Sequence, residues 1–318
     1  MKRPVLFLVA VAGLVILALV PVMSRAIVAD REHVKIAKSA RPLLPGYRYI
    51  RSAHPDRTAV YDRRDHLVAQ LTEGSATVVF HGQSRTFTDP DQTSAVVRTD
   101  AWVRFAPSPW RFGQQTQTWF RTWFGEKVGD RSPDLFADAV RYLSDQPRDA
   151  GFGPPAQDPR TRVRGADWND YLGVASAHRQ PRPKLRRYVD CSGYIRLVYG
   201  HDMGVRLFED RSPHADGLGR LSRSMAAAAP GVEVADSRPD QLTDLRLLQP
   251  GDLVFFALHD DTNISHMGFF LDVDEQGHYR YVSSRIRANG PTFGDAGGAG
   301  ILDGHGYYAR HLRVIRRL

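Results

Sequence analysis

The chain has 318 residues and one cysteine, Cys191, so no disulfide can form within it. Its fold must therefore be held together by a buried core. The content of 42% hydrophobic and 25% charged residues is typical of globular proteins, and the length allows one large or two medium domains. A lone thiol is most often a buried core residue, so the residues around Cys191 must distinguish a structural role from a chemical one.

The amino terminus has the order of a secretory signal. Lys2 and Arg3 precede an uncharged apolar run over residues 4–20, and the small residues Ser24 and Ala26 precede a possible cleavage point. The run is also long enough for an uncleaved anchor, because about 20 residues cross a bilayer. Residues 1–26 are therefore predicted to be a signal peptide or an N-terminal membrane anchor, and either one exports the rest of the chain.

The charge of the chain indicates an anionic partner. The net charge is +8 and the isoelectric point is near 9.7, and summed positive charge attracts negatively charged polymers and surfaces. For an exported chain, an anionic wall polymer or a membrane surface is a better candidate than nucleic acid. Scattered, solvated arginines remain the alternative interpretation.

The amino-terminal half divides into a linker and a β-rich region. Residues 27–57 are polar and contain Pro42, Pro45 and Gly46, which predicts a linker. Short β-rich stretches within residues 58–104 predict a small antiparallel unit, so residues 58–131 are interpreted as a small β-rich, aromatic domain. Four of the five tryptophans lie in its second half, and we expect them to be buried against the next domain, with a glycan platform as the alternative.

The second domain is predicted to cover residues 132–318. It opens on Ser132 as the N-cap of a helix and Pro133 at the first helical position, followed by apolar residues at helical spacing. Within it, the polar start and apolar stripe of residues 188–200 predict a helix with Cys191 in its first turn. Backbone N–H groups there stabilise a thiolate, lower the pKa of the thiol and can hold an oxyanion. Asp190 is expected to cap this helix or to contact substrate.

Three strands follow the helix. Residues 250–256, 265–271 and 279–284 are apolar runs separated by turn-like segments, which predicts an antiparallel meander with His266 at a strand mouth. An imidazole in that position faces a helix packed on the sheet. Cys191 and His266 are therefore candidates for an activated thiol–imidazole pair.

Three short runs carry a more specific signal. The runs Asp-Cys-Ser-Gly-Tyr-Ile (190–195), Pro-Gly-Asp-Leu-Val-Phe-Phe (250–256) and Ser-His-Met-Gly-Phe-Phe-Leu (265–271), in this order, resemble the signature blocks of the NlpC family of papain-like cell-wall cysteine endopeptidases. The resemblance covers about residues 132–318. It implies an α+β fold with a papain-like core, in which a cysteine-bearing helix packs on a central antiparallel sheet.

The resemblance also implies an activity. Family members hydrolyse amide bonds in peptidoglycan stem peptides, often between D-glutamate and a diamino acid, without a cofactor. By that likeness Cys191 is the nucleophile, His266 the general base, and Ser283 the third residue that orients the imidazole, with His278 ranked second for that role. The family more often has His, Asn or Gln in the third position, so a serine is a departure. Asp190, Ser192 and Tyr171 correspond to substrate-binding positions, although Tyr171 matches its block only in part.

Other functions remain open at this point. The same fold and dyad serve amidases or acyltransferases acting on other substrates, since a fold does not fix a substrate. A wall-binding scaffold with an inactive papain-like domain is the third possibility, because of the serine in the third position and the poor tyrosine block. Since the remaining histidines lack the spacing of a metal site, no metal is expected.

Overall fold

The computed structural model describes residues 46–53, 56–143, 165–176, 179–236, 244–259 and 262–318. These residues belong to one unit that extends over residues 35–318. The predicted signal peptide or anchor, residues 1–26, lies outside the described residues. Among the helices of the described ranges, none combines the length and the apolar character needed to cross a membrane.

The amino-terminal part forms a five-stranded antiparallel sheet. Its strands pair in chain order: β1 (Arg48–Ser52), β2 (Arg57–Tyr61), β3 (Leu67–Thr72), β4 (Thr77–Thr88) and β5 (Val96–Phe105). Buried and more exposed side chains largely alternate along β5, as expected where one face of a strand packs on a core. The predicted β-rich amino-terminal region is therefore confirmed, while its boundary at residue 131 stays a prediction.

The tryptophans lie in a cluster between this sheet and helix α1 (Thr118–Lys127). Trp110 is buried, and its ring centroid lies 4.8 Å from that of Phe120, which is also buried. The other tryptophans in this cluster are partly buried: Trp102, Trp119 and Trp123. The expectation of burial against the next domain is therefore corrected, because these rings pack on α1 and on the sheet that precedes it.

The carboxyl-terminal part forms a six-stranded sheet in the order β10-β9-β8-β7-β11-β6. Its strands are β6 (Val232–Asp236), β7 (Leu253–Phe256), β8 (His266–Val273), β9 (Tyr279–Arg285), β10 (Gly290–Thr292) and β11 (Leu312–Arg317). Neighbouring strands pair in antiparallel fashion. The meander predicted from the three apolar runs is confirmed as β7, β8 and β9.

Short helices surround the second sheet. They are α2 (Leu135–Val140), α3 (Trp168–Leu172), α4 (Cys191–Ile195), α5 (Ser222–Ala228) and α6 (Tyr307–His311), and α4 continues as a π-helical segment, Arg196–Asp202. Within the described ranges, three 3₁₀ turns accompany these helices: Gln114–Thr116, Pro183–Leu185 and Leu245–Leu247. Helix α4 packs on β8 and β9, which confirms the predicted α+β arrangement with the cysteine-bearing helix on a central antiparallel sheet.

Helix α2 begins two residues later than predicted. Its N-cap is Asp134, whose side chain accepts a hydrogen bond from Ala137 N, so the assignment of Ser132 as N-cap is wrong. Asp134 has a second role that the local sequence does not show. Its buried carboxylate also accepts from Arg85 of β4 and from Val103 N of β5, at 2.6 to 2.8 Å. The helix start is thereby fixed to the first sheet.

A buried ion pair on the last strand of the second sheet helps to join the two sheets. Arg317 donates to both carboxylate oxygens of Asp252 at 2.7 Å, and the two side chains are fully buried. The same guanidinium donates to the hydroxyl of Thr72 on β3 at 2.7 Å. One arginine of β11 thus joins the turn before β7 to the amino-terminal sheet.

Replacing Arg317 should destabilise the protein strongly. Arg317→Met leaves the Asp252 carboxylate buried without its partner, and losing one partner of such a pair costs about 3 to 5 kcal/mol. The free energy of unfolding from urea titration measures this loss. Arg246→Met is the matched control, since Arg246 pairs with Asp244 while its side chain is 85% exposed, and it should change stability little. Equal stability of the two variants would contradict the assignment.

Candidate active site

Cys191 is the first residue of α4 and directly follows the N-cap residue Asp190. The Asp190 carboxylate accepts a hydrogen bond from Gly193 N at 2.7 Å, which confirms the predicted cap. Gly193 has no room for a side chain, because a Cβ there would lie 2.6 Å from the carbonyl oxygen of Ala166. The Asp-Cys-Ser-Gly run therefore places the thiol at a helix start that packs closely on the segment before α3.

A buried arginine, Arg220, holds this helix start. It donates to Asp190 at 2.8 Å, to the hydroxyl of Ser192 at 2.7 Å and to the carbonyl oxygen of Ala166 at 2.9 Å. The Ser192 hydroxyl donates in turn to Asp190 at 3.0 Å. Asp190 and Ser192 thus have partners within the protein, and their substrate-binding roles stay predictions.

His266 is the first residue of β8 and is 8% exposed. Its Nε2 lies 3.2 Å from Ser283 Oγ on the adjacent strand β9. The imidazole is flanked by the rings of Phe256 and Tyr308, whose centroids lie 5.8 and 5.5 Å away. The structure therefore brings together His266 and Ser283, the pair expected from the alignment of this strand.

The thiol and the imidazole lie together at the start of β8. The backbone N–H groups of Met267, the residue that follows His266, and of Ser192 both act to lower the pKa of the Cys191 thiol, which places the sulfur beside the start of β8. Tyr308 of α6 lies beside the imidazole, with ring centroids 5.5 Å apart. Contacts between α4 and β8 thus bring the helix start that carries the thiol to the strand that begins with the imidazole.

Both groups are uncharged at neutral pH. Burial, followed by the nearby Asp190 carboxylate, raises the pKa of the Cys191 thiol to about 12. Burial, followed by the Arg285 guanidinium, lowers the pKa of His266 to about 3. The Ser192 N–H of the helix start does lower the pKa of the thiol, as predicted, but burial and Asp190 raise it by more. The cost of moving a charged sulfur away from water outweighs the favourable N–H groups around it.

Two further residues of the site, Arg285 and Tyr308, were missed by sequence reasoning. Arg285 Nε donates to Ser283 Oγ at 3.0 Å. Ser283 and Arg285 are two positions apart on one strand, so they face the same side of the sheet, and that alternation is a signal that could have found Arg285. Tyr308 lies on a short helix outside the three motifs, and no sequence pattern places it beside the imidazole.

Three other residues have partners elsewhere in the fold: His278, Ser284 and Tyr171. His278, the second choice for the orienting role, precedes β9 and pairs with Asp303 at 2.7 Å. Ser284 donates to the carbonyl oxygen of Val189 at 2.7 Å. Tyr171 is buried with its ring centroid 5.5 Å from that of Tyr142, so its predicted contact with substrate stays a prediction that this burial does not favour.

A cavity of about 810 Å³ lies elsewhere on the second part of the chain. It is lined by Trp168, Ser176, Arg179 and residues 206–210, and Cys191 and His266 are not among its lining residues. Within the described ranges, no group of three or more His, Cys, Asp or Glu side chains is arranged to hold a metal ion.

The comparisons with known proteins agree with this geometry. Residues 179–293 match the model of the NlpC/P60 family, a family of cell-wall peptidases and hydrolases. The matched range includes Cys191, His266 and Ser283 but excludes Tyr171 and Tyr308. No curated protein matches the chain. Residues 179–293 are therefore similar to the NlpC/P60 family, which confirms the resemblance seen in the three motifs.

Proposed function

We propose that this protein is an exported cysteine endopeptidase that hydrolyses amide bonds in peptidoglycan stem peptides. The observation that carries the proposal is the packing of helix α4, which begins with Cys191, on strand β8, which begins with His266, whose Nε2 lies 3.2 Å from Ser283 Oγ. Nucleophile, base and orienting group are the parts that acyl transfer through a thioester needs. Ser283 contacts the imidazole, which supports an active site over an inactive scaffold.

The reaction starts from an uncharged pair. As the Cys191 sulfur attacks the substrate carbonyl, the thiol proton passes to His266, and the tetrahedral intermediate carries a negative oxygen. The proton then moves to the departing amine as the C–N bond breaks, which leaves a thioester. Water, deprotonated by the same imidazole, hydrolyses the thioester, releases a carboxylate and restores the thiol.

The contact with Ser283 indicates which nitrogen of the neutral His266 imidazole carries the proton and which can accept one. When Nε2–H donates to the Ser283 hydroxyl, Nδ1 is the unprotonated nitrogen that can accept the thiol proton. A serine oxygen can accept this bond but carries no charge to stabilise an imidazolium. The orienting role of Ser283 should therefore contribute less to the rate than a carboxylate would.

The substrate class rests on the family and on charge. Family resemblance favours the bond between D-glutamate and a diamino acid, and the net charge of +8 suits a protein that works beside an anionic wall polymer or membrane surface. Export by residues 1–26 would bring the domain to that location. An amidase or acyltransferase that uses the same dyad on another substrate is the alternative, and product analysis separates it from a peptidase.

Incubation of the protein with purified peptidoglycan should release split stem peptides with new free amines. Cys191→Ala should abolish this release, because the alanine side chain has no nucleophile, while far-ultraviolet circular dichroism stays unchanged. Mass spectrometry of the soluble fraction identifies the bond that is cut. Release of the same peptides by Cys191→Ala would disprove the assignment of the nucleophile, and binding without any release by the wild type would favour a scaffold.

Loss of the His266 imidazole should lower kcat/KM more than loss of Ser283, the residue proposed to orient it. His266→Gln should lower kcat/KM by about 10² to 10⁴-fold, the range for loss of a general base, and Ser283→Ala should lower it by less. His278→Gln is the matched control, because His278 pairs with Asp303 away from the site and should keep nearly full activity. A large loss with His278→Gln and none with His266→Gln would reverse the assignment.

The uncharged resting state predicts the reactivity of the thiol. Since the pKa of Cys191 is about 12, the rate of alkylation by iodoacetamide should rise about tenfold per pH unit between pH 7 and 9. Cys191 is the one cysteine of the chain and retains partial exposure, so intact-mass spectrometry reports on it alone. A rate that is constant from pH 5 to 8 would instead show a preformed thiolate–imidazolium pair.

A further inference from the structure

Arg285 lies beside the dyad without an acidic partner. The last residue of β9, it is 2% exposed, and no ion pair among the described ranges of the chain includes it. Its Nη1 donates to the carbonyl oxygens of Gly294 and Gly298 at 2.7 and 3.1 Å. Nη2 is buried and has no hydrogen-bond partner. Burying a cation that is compensated by neutral oxygens costs free energy, which the surrounding fold must supply.

The guanidinium reaches the imidazole through one hydroxyl oxygen. Arg285 Nε donates to Ser283 Oγ at 3.0 Å, and that oxygen lies 3.2 Å from His266 Nε2. The rings of Tyr281 and Tyr308 hold the guanidinium carbon, each with its centroid 4.8 Å away. Because Tyr308 also packs on the imidazole, both ends of this connection are fixed by the same ring.

The groups that surround His266 leave Arg285 as the charge nearest to it. Helix α4 contributes the uncharged thiol of Cys191, β7 the apolar ring of Phe256, and α6 the phenol of Tyr308. Asp190 and Arg220 pair with each other at the start of α4. The Arg285 charge and the imidazole are separated by one hydroxyl group. For an effective dielectric constant of about 20, a positive charge at that distance should lower the pKa of His266 by roughly one to two pH units.

We propose that Arg285 is a positioning residue that acts through Ser283 to extend into acid the pH range over which the His266 imidazole keeps its uncharged, base form. The proposal rests on the Cys–His chemistry proposed above. The direction of the shift in the pKa of His266, to which the Arg285 charge contributes after burial, agrees with it. A base that stays unprotonated in acid is useful beside an anionic polymer, because such a polymer concentrates protons as well as other cations.

Titration of the histidine resonances of the full chain by NMR tests this role without peptidoglycan. His266→Gln identifies the resonance of His266, and the wild-type imidazole should stay uncharged between pH 8 and 5. In Arg285→Met its midpoint should rise by roughly one to two pH units, while Arg285→Lys, which keeps the charge, should stay close to wild type. Arg280→Met is the matched control on the same strand, because Arg280 pairs with Asp274 and Asp295.

The outcomes separate this proposal from the proposed function. A wild-type midpoint of 6 or above would overturn the role of Arg285 even if the Met variant fails to fold. Equal midpoints for Arg285→Met and Arg285→Lys would show that the side chain matters for packing and not for charge. If peptidoglycan is not cleaved at all while the titrations behave as expected, the peptidase assignment fails and the electrostatic role of Arg285 stands.

Discussion

Buried arginine–aspartate pairs hold together a chain that cannot form a disulfide. Arg317 with Asp252 connects the last strand to both sheets, and Arg85 with Asp134 connects the first sheet to α2. Each pair joins segments that are distant in sequence, and its hydrogen bonds offset the cost of burying the charges. The same kind of pairing, Arg220 with Asp190, fixes the helix start that carries the nucleophile.

Burial also determines the chemistry of the site. A helix start and two N–H groups would favour a thiolate on Cys191, yet the surroundings exclude enough water that the neutral thiol is preferred. The imidazole of His266 is likewise neutral, for reasons of burial and of the nearby Arg285 charge. The site is therefore suited to proton transfer that accompanies attack on a bound substrate, and a resting thiol of this kind reacts slowly with oxidants.

The surroundings of Ser283 hold it against the imidazole. Its hydroxyl oxygen lies 3.2 Å from His266 Nε2 and receives a hydrogen bond from Arg285. The hydroxyl and the guanidinium act as one unit, held by the rings of Tyr281 and Tyr308. A serine here is thus compatible with an ordered imidazole.

The sequence alone determined the features that depend on local order. The three motifs and the alternation of apolar residues predicted the β7–β8–β9 meander, the cap at Asp190, and Cys191 and His266 as partners, because spacing and capping act over a few residues. It placed the start of α2 wrongly, since Asp134 is selected by the distant Arg85 as well as by its own helix.

Only the tertiary structure decided the charge state and the full membership of the site. The pKa values of Cys191 and His266 depend on how much water the packed elements exclude, and no local pattern encodes that quantity. Arg285 and Tyr308 reach the imidazole from two other elements of the fold. Local sequence therefore pointed to Cys191 and His266 as the candidate pair, whereas long-range packing set their protonation and the groups that surround them.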